Sequence, residues 1–409
     1  LKDGIEYAKI FAPLVDYINV DYGNWESMEK TIPSLNYGQG LHIDATSQVK
    51  KAVNVPVIAS GRIIRPEMAE NILENHVADL IGMARELIAE PYWVEKVKGG
   101  DIEEITECIG CNQKCVGRLL QNRAISCVVN PAAGFEEDYS RDKMYSKAKT
   151  QKKVVVVGGG PAGMKVAEIA ARKGHQVVLF EKNDELGGRV NLESSLPDKQ
   201  ELGGTARYLK YALKKLNVDV RINSTADVNT VIGEKPDITV VATGSVLTNQ
   251  EGTYSVKDVI EGKVTGENVL VMDFDANIEG TGAVEHLANL GKTVHWVSPT
   301  FFNGQDNEVS TVLLPIYRRL GTKKVMMHPM SVMIQFENGK ATLLNPYTNT
   351  ISSVDGIDAI VMAGTKAANN SLYKELNNQL QNVYVIGDAA APRNTGAALA
   401  DAMSVSMNF

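Results

Sequence analysis

Val154-Val155-Val156-Val157-Gly158-Gly159-Gly160-Pro161-Ala162-Gly163-Met164 is the stretch whose reading decides the fold. Four β-branched apolar residues in a row read as a strand buried on both faces, and the glycine run after them opens a helix over residues 164–173. Gly158 suits the tight turn, Gly160 lets a pyrophosphate approach the backbone, and Gly163 lets helix and strand pack closely. The next strand, 177–180, ends in Glu181, a carboxylate that can accept from a ribose 2′-hydroxyl and would repel a 2′-phosphate. A lone glycine pattern of this kind also occurs in structural turns. Strand, helix and acid together predict a site for an adenine dinucleotide.

Two later stretches fit the same ligand. The strand 238–242 runs into Thr243-Gly244, and 384–386 runs into Gly387-Asp388 ahead of a helix. Each brings backbone or a carboxylate to the carboxyl edge of a parallel sheet, where such ligands bind. In this order they predict a flavin-type, Rossmann-like domain in two parts, 151–245 and 381–409, with 246–380 inserted between them. The insert has its own strand–loop–helix–strand unit over 269–297. Its turn reads Asp273-Phe274-Asp275-Ala276-Asn277-Ile278-Glu279-Gly280, where a nicotinamide site would need glycines. Side chains would block the backbone and three carboxylates would oppose a pyrophosphate, so this domain is expected to keep the fold without binding NAD(P)H there.

Upstream, all four cysteines of the chain fall in one segment, Cys108-x2-Cys111-x3-Cys115-x11-Cys127. Soft thiolates at this density suit an iron–sulfur cluster of the 4Fe-4S type, with structural zinc and a disulfide pair as the other readings. Lys114, Arg118 and Arg123 lie between the thiols and either offset the negative charge of a cluster or are simply solvated. The segment 101–150 holds this motif and a charged connector.

Residues 1–100 alternate helix and strand at the spacing of parallel βα units: helices over 5–14, 47–53 and 66–75, strands over 17–20, 55–59 and 78–83. Three units cannot close an eight-stranded ring, so the segment is expected to be the C-terminal part of a TIM barrel. The abrupt start at Leu1 and stop at Phe409 suggest a fragment. Ser60-Gly61-Arg62 and Gly82-Met83-Ala84-Arg85 follow what would be the last two strands, where barrels commonly bind phosphate. Gly61, Arg62, Gly82 and Arg85 are therefore candidates for the phosphate of FMN, against the plainer reading of local arginine pairing.

Composition narrows the partners. With 44% apolar and 22% charged residues the chain is an ordinary globular α/β protein, and its net charge of −7 opposes attraction to nucleic acid or an anionic membrane. No apolar run approaches the length of a membrane span, and no secretory leader is visible. A cytoplasmic location is the expectation.

The succession VIASGRI, IGMAREL, CIGCNQKC, SCVVNP, VVVVGGGPAGMKVA, LFEKNDELGGRVN, VVATGS and YVIGDAAAP resembles the 2,4-dienoyl-CoA reductase and trimethylamine dehydrogenase family of old-yellow-enzyme-like flavoproteins, across essentially the whole chain. The resemblance implies an oxidoreductase with FMN in the barrel, a 4Fe-4S cluster on the four cysteines, and FAD, or ADP in its place, on Gly158, Gly160, Gly163, Glu181, Gly188, Arg189, Gly244, Gly387 and Asp388. It implies a small-molecule substrate, a homo-oligomer, and in the dehydrogenase branch an electron-transfer flavoprotein as acceptor. The alternative is an NAD(P)H-dependent enoate or dienoyl-CoA reductase, and from another class a non-catalytic electron-relay or nucleotide-binding module. The glycine-poor loop at Asp273 is similar to the dehydrogenases, whereas the three residues between Cys111 and Cys115 are similar to the reductases. In the loop 24–39, Ser27 and Lys30 stand near the places of the amine dehydrogenases' substrate-side tryptophan and aspartate, which puts amine chemistry in doubt. Glu29 and Tyr37 there either face the flavin or lie on the loop surface. No catalytic acid or base is assigned.

Overall fold

A computed structural model describes residues 1–248 and 251–409. The valine run forms the strand Lys153–Val157 at the centre of a five-stranded parallel sheet, with Val154, Val155 and Val156 fully buried. In spatial order the strands are Val383–Val385, Ile238–Val241, Lys153–Val157, Gln176–Phe180 and Asp219–Arg221. The strand nearest the C-terminus thus returns to complete a sheet whose other four strands end at residue 241. A sheet this buried requires helices on both faces. The helix Pro161–Arg172 covers one, packed beneath Thr395–Ser406, and buries Met164, Val166 and Ile169.

The intervening chain builds a second parallel sheet in the order Val325–His328, Thr293–Val297, Asn268–Asp273, Ala359–Ala363 and Tyr254–Ser255. A three-stranded antiparallel sheet, Val332–Glu337, Lys340–Leu344 and Ile351–Val354, closes its flank through Ala341 and Leu343 against Leu270 and Ile360. A two-stranded ribbon, Ser245–Leu247 with Lys366–Ala368, carries the chain across and back. The helix Ser371–Leu376 falls in the stretch that sequence spacing assigned to the insert. Its Leu376 instead packs with Val155, Val178 and Val241 of the first sheet, because the chain has already crossed back at the ribbon.

The N-terminal segment supplies three parallel strands, Ile18–Asn19, Val57–Ala59 and Leu80–Ile81, with the helices Lys2–Phe11, Ile43–Ala52 and Pro66–Glu74. The barrel-end segment is stitched to the first dinucleotide-type domain by ion pairs. Arg172 meets Glu104 at 2.7 Å, Lys215 meets Glu104 at 3.0 Å and Asp101 at 3.1 Å, and Arg207 pairs with Glu107. Among the described residues no helix is long and apolar enough to cross a membrane.

Candidate redox site

The glycine loop has the shape its spacing predicts. Gly158 sits at φ +111°, and a Cβ there would strike the Ala242 carbonyl. A Cβ on Gly163 would land on the Gly158 carbonyl oxygen, whereas one on Gly160 would enter open space. The loop is therefore closed where strand and helix meet and open at the helix N-terminus. The first turn of Pro161–Arg172 has no side-chain cap, so its N–H groups remain for an anion. Glu181 is buried beneath the loop, its Oε2 accepting from Gly159 N at 2.7 Å and its Oε1 from Asn183 N at 2.8 Å. Gly188, at φ +53°, lies against Gly160, and Gly244 again faces open space. Asp388 accepts from Ser245 Oγ at 3.2 Å and from Arg393 N at 2.9 Å, which turns its carboxylate toward the same edge. Gly163→Val should abolish retention of the adenine nucleotide, measured as adenine released on denaturing the purified protein, because the added side chain forces helix and loop apart.

Arg189 makes a contact that its sequence neighbours do not announce: its guanidinium pairs with Glu279 of the second domain and lies 3.9 Å from Glu193. Glu279 is also met by Lys366 at 3.2 Å, and Lys366 reaches Asp275 at 3.9 Å. The acidic turn is thereby locked. Asp273 Oδ1 accepts from the backbone of Asp275 and Ala276, its Oδ2 takes Trp296 Nε1 at 3.0 Å, and burial pushes its pKa up to about 7. Its carboxylate occupies the space where a Cβ on Gly280 would stand, so a side chain fills the head of the helix Ile278–Asn289 where a dinucleotide would need bare backbone.

All four cysteines are free thiols. Cys108, Cys111 and Cys127 pack with Leu35, Ile109, Val128 and Leu202 in one apolar cluster. Burial raises the thiol pKa of Cys108 to about 11 and of Cys127 to about 12, and that of Cys111 well above its ordinary value. Neighbouring thiols add to each shift: Cys115 beside Cys108, Cys115, Cys127 and Cys108 around Cys111, and Cys108 and Cys115 beside Cys127. Every pair of the four is thus close enough to interact. Among the described residues, however, no three Cys, His, Asp or Glu side chains close on one metal ion. Buried thiols with such high pKa values become ligands only where a metal centre supplies the compensating positive charge.

Two arginines assigned from the sequence to a phosphate also lie beside this cysteine segment. Arg62 is 1% exposed at its side chain, gives Nη1 to the carbonyls of Ser34 and Tyr37, and pairs through Nη2 with Glu201. Burial lowers its pKa and Glu201 opposes that, while its Nε has no partner among the described residues. Arg85 Nη1 donates at 2.6 Å to Pro33 O and to Asn112 Oδ1. Gly61 and Gly82 keep their places at the carboxyl ends of the strands Val57–Ala59 and Leu80–Ile81. Glu86, which sequence reading passed over, accepts from Cys108 N at 2.8 Å, and burial pushes its pKa up to about 8. Its position directly after Arg85 was the available signal. Glu201, by contrast, had none, since it lies 139 residues from Arg62.

A cavity of about 290 Å³ joins these parts, with Cys111, Ile109 and Val128 at one wall, Val190 and Glu193 at another, and Asp275 and Lys366 at a third. It lies where the cysteine segment, the first dinucleotide-type domain and the acidic turn converge.

This fold joins the end of a TIM barrel to a Rossmann-like dinucleotide-type region. Residues 6–104 match the NADH:flavin oxidoreductase / NADH oxidase family, and residues 152–290 match pyridine nucleotide-disulphide oxidoreductase. An NADH oxidase of Thermoanaerobacter brockii is 34% identical over 95% of this chain and 61% of its own length. An N,N-dimethylglycine/sarcosine dehydrogenase of Chromohalobacter salexigens is 30% identical over 94% of this chain and 62% of its own length. A solved 2-naphthoyl-CoA reductase superposes with a TM-score of 0.90 at 27% identity, covering all of this chain and 62% of the other. The chain belongs to the 2,4-dienoyl-CoA reductase and trimethylamine dehydrogenase family. It spans about three fifths of the length of the relatives it matches.

Proposed function

We propose that this chain is the electron-transfer part of an enzyme that moves electrons between a small organic substrate at FMN in the barrel and a second redox partner, through a 4Fe-4S centre held by Cys108, Cys111, Cys115 and Cys127. The observation that carries the reading is the four mutually interacting free thiols, of which Cys111 is buried and lines a cavity that reaches the glycine loop's domain. When bound, the flavins supply two-electron exchange with organic molecules, and the cluster single-electron relay.

The chain's own residues do the holding. Four soft thiolates at the spacing Cys108-x2-Cys111-x3-Cys115-x11-Cys127 suit a 4Fe-4S centre better than the two separated knuckles usual for structural zinc. Gly158, Gly160, Gly163, Gly188 and Gly244 leave backbone space for a pyrophosphate, with Glu181 toward the adenosine ribose and Gly387 and Asp388 at the sheet edge. Gly61, Gly82 and Arg85 are the barrel residues offered to the FMN phosphate. The partner at the far end is a soluble carrier such as an electron-transfer flavoprotein, and the enzyme is cytoplasmic and homo-oligomeric.

A second reading is an NAD(P)H-fed reductase, favoured by the 34% identity to a protein described as an NADH oxidase. The locked acidic turn argues against it. Anaerobic addition of NADH or NADPH to the full-length protein should leave the visible flavin absorbance largely unchanged over minutes. Bleaching within seconds would establish the reductase reading. Extraction yielding no flavin would remove both.

A further inference from the structure

The loop of residues 24–39 leaves the carboxyl end of the strand Ile18–Asn19, the end at which barrels carry their chemistry. Its own barrel segment holds it from below. His42 Nε2 bonds Lys30 O at 2.9 Å, Arg85 reaches Pro33 O, Arg62 reaches Ser34 O at 3.0 Å, and Asn112 Nδ2 gives to Ile32 O at 3.0 Å. A different domain holds it from above. Arg318 Nη1 lies 2.5 Å from Glu29 Oε1, and Arg319 Nη2 lies 2.8 Å from Asn36 Oδ1.

Both arginines belong to the helix Leu313–Leu320 of the second dinucleotide-type domain. Ile316 and Leu320 anchor that helix in its domain's core with Trp296, and Pro315 is buried with them, so the arginines are presented by a fixed base. Arg319 is fixed again by Glu285, 2.5 Å from its Nε, and by Asp198 of the first domain at 3.6 Å. Just ahead of the helix, Thr311 Oγ1 accepts from Asn112 Nδ2 at 3.2 Å and so ties the cysteine segment to the same junction.

A plain surface pair would have two exposed ends and contribute little. Here Glu29 is 3% exposed. Burial alone would raise its pKa, yet the Arg318 guanidinium outweighs that and holds the carboxyl below its ordinary value. Tyr37, raised by burial and then by Glu29, stands beside the pair. Neither Glu29 nor Tyr37 is a free flavin-facing group.

We propose that the second domain acts as a clamp on the barrel mouth, with Arg318 and Arg319 as positioning residues that fix the loop 24–39 over the substrate side of the barrel. A domain whose nucleotide turn is filled by carboxylates thereby keeps a role, which is to order a loop for a small organic substrate. The clamp itself is independent of the proposed function. Only the word substrate rests on that reading.

The test uses the full-length protein with Arg318→Ala, Arg318→Lys and Glu29→Gln. Amide hydrogen exchange is followed at Ile32 and Leu35, whose N–H groups bond to Met28 O and Gly110 O, with the strand Asn268–Asp273 as internal reference. Arg318→Ala should speed exchange in the loop about tenfold and leave the reference unchanged, because it strands a buried carboxylate. Glu29→Gln should give a smaller increase, and Arg318→Lys should restore most of the protection. Iron and flavin contents should not change, and KM for the turned-over substrate should rise about fivefold to tenfold with kcat within about twofold. Unchanged loop exchange in Arg318→Ala overturns the clamp. Faster exchange with unchanged KM and kcat overturns the positioning role. A wild-type protein without flavin or turnover defeats the proposed function, and the clamp is then decided by exchange alone.

Discussion

Cys111→Ser is expected to lower bound iron from about four atoms per chain to fewer than about one, read by iron and acid-labile sulfide analysis of the full-length protein. Cys111 is the buried member of the quartet, and burial together with Cys115, Cys127 and Cys108 raises its thiol pKa well above the ordinary value. Buried thiols of this kind ionise together only around a centre whose positive charge offsets them. A serine oxygen is harder, far less acidic and shorter in reach than a thiolate, so the remaining three ligands leave one corner open to water. Cys108 and Cys127 should then return to their protonated state, since burial pushes them to about 11 and about 12 without a centre. Zinc in place of iron in the wild-type analysis would overturn the relay.

Glu168→Gln should cost about 3–5 kcal/mol in chemical denaturation, because it strands buried cations. Glu168 is wholly buried in the helix Pro161–Arg172, with Lys165 Nζ at 2.8 Å, Arg172 Nε at 3.0 Å and Tyr208 Oη at 2.5 Å. Burial by itself would raise its pKa, but Lys165 and then Arg172 outweigh burial and bring the carboxyl down from its ordinary 4.5 to about 2. The sign of the pH dependence follows. A depressed folded-state value means the stabilisation is fully present above the ordinary carboxyl range and is lost as pH falls through 4.5 toward 2. The Gln variant should lack this acid limb. A variant that unfolds at the wild-type denaturant midpoint would show the network to be inert. Arg172 also reaches Glu104, so the loss should loosen the seam between the barrel segment and the dinucleotide-type domain as well.

The strand–glycine–helix unit at Val154, the acid at Glu181, the four-cysteine spacing and the alternating βα units were all legible in the chain. Each is a local pattern whose geometry is fixed within about 30 residues: a period of two or 3.6, a glycine where a Cβ collides, a close run of thiols. The absence of glycines between Asp273 and Gly280 was legible for the same reason. The roles of individual charged side chains were less so. Arg62 and Arg85 stand at the right strand ends for a phosphate, and nothing near Arg62 announces Glu201. Arg189 follows a glycine pair that resembles a flavin motif, yet Glu279 reaches it from another domain.

The sequence by itself determined which backbone segments are strand, helix and turn, where the thiols gather, and which of the two dinucleotide-type units has an open glycine turn. Only the tertiary structure decided which acid neutralises which base: Glu201 at Arg62, Glu279 at Arg189, Glu29 at Arg318. Backbone geometry is set by sterics between neighbours in the chain. Burying a charge is costly unless a partner meets it, and that partner comes from whichever distant segment the fold brings within reach.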